Sequence, residues 1–153
     1  HHTYIEWAYL WRGLQELSAG RRKSFVKKAE EYVESARKSL AAGQLPTDMC
    51  PLHEKGLCAL YSHRLMICRL HGTRNLFTLP DGRRQFFPGC SRFAALPCAR
   101  PGMEDKCPTL DRTALYQELA SLEHEYLKRA RRTMPRVGMT LAEMITVGPP
   151  DLG

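Results

Sequence analysis

All six cysteines of this chain fall in one 58-residue stretch, from Cys50 to Cys107, and residues 1–49 hold none. The gaps between successive cysteines hold 7, 9, 21, 7 and 8 residues, so no C-x-x-C pair occurs. Zinc fingers and ribbons bring ligands in pairs about two to four residues apart, where one tight turn holds two sulfurs on the metal. Here each sulfur would reach a shared ion from a separate piece of chain. Such spacing resembles an irregular iron–sulfur pocket at least as much as a zinc knuckle, and thiolates suit either.

Three readings of the cysteines stand side by side. Each is small and apolar enough to be a buried packing residue. An even count permits three disulfides. The N-terminal HHTYIEWAYLW has neither a basic n-region nor a small-residue cleavage site. A cytoplasmic location is therefore expected, and there clustered cysteines point to metal or redox chemistry. Local chemistry favours ligands. Cys50-Pro51 and Cys107-Pro108 place a rigid residue directly after the thiol, as in the cysteine run of bacterial ferredoxins. Gly56 and Gly89 sit just before Cys58 and Cys90, where a missing Cβ would let backbone approach an ion. Arg64 and Arg69 flank Cys68, and cations favour the metal-binding thiolate. His53, His63 and His71 are near enough in sequence to replace a cysteine, though loop hydrogen bonding is the ordinary role for such histidines.

Within these residues a family pattern is visible. Cys50-Pro51-Leu52, followed by Gly56-Leu57-Cys58-Ala59-Leu60-Tyr61-Ser62-His63-Arg64-Leu65-Met66-Ile67-Cys68-Arg69, resembles the YkgJ-type cysteine-cluster family of bacterial and archaeal proteins. Those carry C-P-(F/L), then G-x-C-x-(I/L)-Y-x-x-R-P-x-x-C-R, and are described as zinc- or iron-chelating and often as iron–sulfur proteins. The resemblance implies Cys50, Cys58, Cys68 and Cys90 as metal ligands and Tyr61, Arg64 and Arg69 as supporting residues. Cys98 and Cys107 are additional candidates, because the family's N-terminal cysteine cluster has no counterpart in this chain. Leu65 stands where the family has proline. The expected cofactor is an iron–sulfur cluster, 4Fe–4S favoured, or Zn2+.

The 153 residues carry 23 Lys and Arg against 16 Asp and Glu, a net charge of +7. The densest basic clusters are Arg21-Arg22-Lys23, Arg83-Arg84 and Arg129-Ala130-Arg131-Arg132. Helix ends and a loop tip account for them as solvated charge. No aromatics are read as interleaving with them in a stacking pattern, which argues against nucleic acid as a partner. A protein partner is compatible with the charge. No run of 18 apolar residues occurs, so no membrane span is expected.

Hydrophobic periodicity predicts a mainly α fold within a single domain spanning 1–153. Residues 3–43 read as a helical hairpin. Thr3 with Glu6 forms a capping box, and Tyr4, Trp7, Leu10, Trp11, Leu14 and Leu17 recur at helical spacing. Ser18-Ala19-Gly20 is the expected break. The second helix, 22–42, has a stripe of Phe25, Val26, Ala29, Tyr32, Val33, Ala36 and Leu40. The two tryptophans are read as core, not as a cofactor box. Residues 44–108 form the cysteine-rich segment, with a short helix over 59–69. A two-stranded hairpin is expected over 76–87, turning at Pro80-Asp81-Gly82, before an irregular stretch over 88–108. Residues 109–146 carry a third long helix, 110–133, with Leu115, Leu119, Leu122, Tyr126 and Ala130 on one face. A short helix follows over 141–146, capped by Thr140 and Glu143. Residues 147–153 are a tail.

The function this pattern implies is a metal-binding protein in a structural or electron-transfer role. An oxidoreductase using the cluster is the alternative, as is a basic adaptor for RNA or an acidic protein. The chain has no phosphate loop, G-x-G-x-x-G, G-x-S-x-G or H-E-x-x-H.

Overall fold

In the computed structural model, residues 2–97, 106–130 and 134–151 are described. The protein is mainly α with small sheets, and it forms two compact units, His1–Arg64 with Tyr126–Gly153, and Leu65–Glu125.

The first unit begins with α1, Tyr4–Glu16. The Thr3 hydroxyl accepts the Glu6 amide at 3.3 Å, and the Glu6 carboxylate accepts the Thr3 amide at 3.2 Å. These reciprocal bonds satisfy two amides that a helix start leaves orphaned. Tyr4, Trp7, Leu10 and Leu14 of the expected stripe are buried, while Trp11 and Leu17 are half-buried. Only Leu17 and Ser18 separate α1 from α2, Ala19–Ala41. Ala19 and Gly20 are helical because the Ser18 hydroxyl caps the helix at the Arg21 amide, 3.4 Å away. The break is therefore shorter than its sequence suggests.

On α2 only Phe25 and Ala29 are buried, and Leu40 near its end is 59% exposed. The helix packs more extensively against α6, Leu141–Val147, than against α1. Thr140 and Glu143 form the expected capping box on α6, and Ala142, Met144 and Ile145 enter the core. Burying side chains the size of Leu10, Leu14, Phe25 and Ile145 contributes about 1.5–3 kcal/mol each. Trp7 and Trp11 lock this arrangement. Their indole N–H groups donate to the Met144 carbonyl at 3.1 and 2.8 Å, and Trp7 also reaches the Gly148 carbonyl at 2.7 Å. Carbonyls at a helix C-terminus lack intrahelical partners, so the tryptophans serve as core and cap together. This unit also holds the small hairpin β1, His53–Glu54, and β2, Leu57–Cys58.

In the second unit the expected 76–87 hairpin is present as β3, Asn75–Thr78, and β4, Arg84–Phe87. It gains a third strand, β5, Leu110–Asp111, which runs parallel to β3 and gives the order β4-β3-β5. The Leu110 and Arg112 amides donate to the carbonyls of Arg74 and Leu76 at 3.0 and 2.9 Å. Leu110 and Arg112 thus spend their amides on the sheet, and the third long helix starts later than expected. It runs as α5, Thr113–Ala130. Its N-terminal turn lies on β3, where the Phe77 and Tyr116 rings stand 5.2 Å apart and the Arg112 guanidinium sits 5.0 Å from the Tyr116 ring.

The expected helix over 59–69 is replaced by a single 3-10 turn, Tyr61–His63, and a short α3, Met66–Leu70. Leu65 between them is extended, with φ −64° and ψ 158°. In the irregular 88–108 stretch, Ser91–Ala94 form the single turn α4. Residues 98–105 and 131–133 of the expected elements lie outside the described residues. No helix among the described residues is long and apolar enough to cross a membrane.

Candidate metal centre

Cys58 sits on a small hairpin and Cys50 on the turn that leads into it, an arrangement that their spacing conceals. The His53 amide closes a turn on the Cys50 carbonyl at 2.8 Å, and the Ala59 amide pairs with the Leu52 carbonyl at 2.9 Å. Between these, His53 stands opposite Cys58 and Glu54 opposite Leu57. The two-residue connection, Lys55 and Gly56, has φ of 50° and 85°. Positive φ at both positions defines the turn whose twist matches a hairpin. Gly56 is thus required by the turn, and a Cβ on it would meet nothing within 4 Å. Pro51, Leu52 and Leu60 are buried and anchor the loop.

The Cys50 side chain is held above the ordinary thiol range. Burial of the sulfur is the largest cause, although the residue as a whole is exposed. The Leu52 amide, which donates to this sulfur, opposes it. Cys58 lies close enough for its charge to raise the value further, while Arg64 lowers it. The Leu52 N–H and the Arg64 charge favour the Cys50 thiolate, and burial together with Cys58 outweighs them. Arg64 itself lies 5.3 Å from the centroid of the Tyr61 ring, so two motif residues pack on each other.

The turn leading to Arg64 is bolted to α1. The Tyr9 hydroxyl donates to the Ser62 carbonyl at 2.9 Å, and its ring lies 4.6 Å from the His63 imidazole. His63 Nε2 is 3.6 Å from the Glu16 carboxylate. His63 is therefore engaged with α1. His53 instead lines an open groove of about 400 Å3 together with Cys50, Lys28, Tyr32 and Asp48.

In the second unit, Cys68 lies on α3 and Cys90 immediately precedes α4, its carbonyl accepting the Ala94 amide at 3.0 Å. The Cys90 thiol is 4.0 Å from the Gly72 carbonyl oxygen. The turn that carries Gly72 is held by Asn75, whose amide group donates to the carbonyls of Leu70 and Thr73 at 3.3 and 2.9 Å. Sequence reasoning missed Asn75, which is 1% exposed. The available signal was a carboxamide opening an apolar strand two residues after Gly72-Thr73.

Arg69 is exposed and His71 stacks at 6.0 Å from the Phe87 ring. Cys107, an additional-ligand candidate, is buried and disulfide-bonded, and a cystine sulfur lacks the thiolate charge that binds metal. Cys98 lies outside the described residues. Cys50, Cys58, Cys68 and Cys90 are all thiols. Among the described residues of either unit, no three His, Cys, Asp or Glu side chains stand in an arrangement that would hold a metal ion. No protein-family model, curated protein or solved structure matches the chain.

Proposed function

We propose that this chain is a cysteine-ligated metal protein of the YkgJ type. It holds an iron–sulfur cluster or Zn2+ through Cys50, Cys58, Cys68 and Cys90, in a structural or electron-transfer role. The observation that carries the reading is the Cys50–Cys58 hairpin. It carries Cys58 opposite His53, and the turn that leads into it carries Cys50, whose sulfur already accepts a backbone N–H. Hydrogen bonds to the sulfurs are among the groups that tune a bound cluster. Loss of both thiol protons on metal binding couples affinity to pH.

Elemental analysis and an optical spectrum of anaerobically purified protein test the proposal. Iron with sulfide, or zinc, bound in fixed ratio to the chain is the expected result, lost in Cys58→Ser. Protein that purifies free of metal, takes up neither ion, and melts identically with and without a chelator would refute it. A cluster-dependent oxidoreductase is a second reading, favoured by the groove that opens beside Cys50. Turnover would then require the cluster and respond to substitutions at Lys28 or Tyr32.

A further inference from the structure

The metal reading leaves one face of the β3–β4 hairpin unused. Directly opposite residues of an antiparallel pair share a face. Leu76 stands opposite Phe86 and Thr78 opposite Arg84. Arg74, two residues before Leu76, continues that face, with its guanidinium 4.7 Å from the Phe86 ring centroid. The opposite face carries Phe77, against which Tyr116 of α5 packs. Phe86 lies on an edge strand and remains 54% exposed. The hairpin tip adds Arg83.

Two acids accompany these cations. Asp111, opposite Leu76 on β5, lies near Arg84 and takes the Thr113 amide at 2.9 Å. Asp81 pairs with Arg83 at 2.7 Å, with both side chains exposed. Exposed pairs of this kind are weak, and a phosphate can replace the carboxylate.

We propose that this face binds single-stranded nucleic acid, with a base stacked on Phe86 beside the Arg74 guanidinium and phosphates held by Arg83 and Arg84. The pattern suits a ligand that alternates flat rings with negative charge, and the chain's net charge of +7 adds long-range attraction. An acidic peptide would satisfy the arginines but leave the ring exposed. A duplex keeps its bases stacked internally and cannot use Phe86. Order along the chain hides this pairing of ring and cation. The Arg74–Phe86 stack forms across two strands.

The test is fluorescence anisotropy of the full chain with a labelled single-stranded RNA of about twelve nucleotides, at about 30 and 300 mM salt. Binding at low salt that weakens steeply at high salt is expected. Phe86→Ala should weaken it about five- to tenfold without changing the melting curve, and Phe86→Leu should weaken it too if the alanine variant folds poorly. Arg84→Gln should lower the salt slope by about one. The inference is overturned by no binding at low salt, or by wild-type affinity in folded Phe86→Leu. Equal affinity for the matching duplex, or equal competition by an acidic peptide, would also overturn it. Chelator-treated protein should bind equally, which keeps this result separate from the metal reading.

Discussion

Gly13 of α1 and His63 of the 3-10 turn approach so closely that a Cβ on Gly13 would lie 2.5 Å from His63 Cγ. All three nearest atoms belong to the imidazole and its Cβ, within 2.8 Å, a separation that no real contact tolerates. Gly13→Ala should therefore push the turn off α1 and destabilise the protein by about 1–3 kcal/mol. Urea unfolding measures this. His63→Ala in the same chain should recover much of the loss, and no recovery would show that the glycine matters for another reason.

Trp7→Phe keeps the ring in the core but removes the indole N–H shared by the Met144 and Gly148 carbonyls. Two acceptors at the end of α6 lose a donor, at a cost of about 1–2 kcal/mol. Trp11 donates to the same Met144 carbonyl from a half-buried position, so Trp11→Phe should cost less. Equal effects in thermal melts would contradict this ordering.

Asn75→Ala removes the donors that hold the Leu70 and Thr73 carbonyls. The Leu70 carbonyl keeps the Thr73 amide and hydroxyl, both at 3.1 Å, whereas the Thr73 carbonyl loses its bond at a part-buried position. About 1–3 kcal/mol of destabilisation is expected. Hydrogen exchange should show the loss concentrated in residues 70–76, and a uniform change across the chain would speak against a local role for this side chain.

The Asp111 carboxyl sits below its ordinary value, chiefly because the Thr113 hydroxyl and then its amide donate to it, with Arg84 a smaller help. The same Thr113 oxygen accepts the Thr78 amide at 2.9 Å, which orients its proton towards the carboxylate. A lowered folded value means that the unfolded chain binds the proton more readily. The stability Asp111 contributes is thus present above the ordinary carboxyl value of 3.8 and is lost as pH falls through the lower folded value. Carboxyl NMR titration of Thr113→Val should find the Asp111 midpoint moved upward. An unchanged midpoint would remove the hydroxyl as the cause.

Local rules made much of this protein legible in its sequence. Both capping boxes, Thr3 with Glu6 and Thr140 with Glu143, are present because the pattern and its hydrogen bonds lie within four residues. The hairpin around Pro80-Asp81-Gly82 formed for the same reason. The mainly α character followed from periodicity over whole helices. What tertiary structure alone decided involves partners far along the chain. Residues 110–112 join β3 instead of starting a helix, since the Arg74 and Leu76 carbonyls accept the Leu110 and Arg112 amides. The hairpin that sets Cys58 opposite His53, just after Cys50, was hidden from the sequence because its turn uses a lysine at positive φ that no propensity favours. Gly13 and the Arg74–Phe86 stack carry no local signature at all. Each owes its role to a neighbour delivered by folding, and residue type and spacing do not encode that distance.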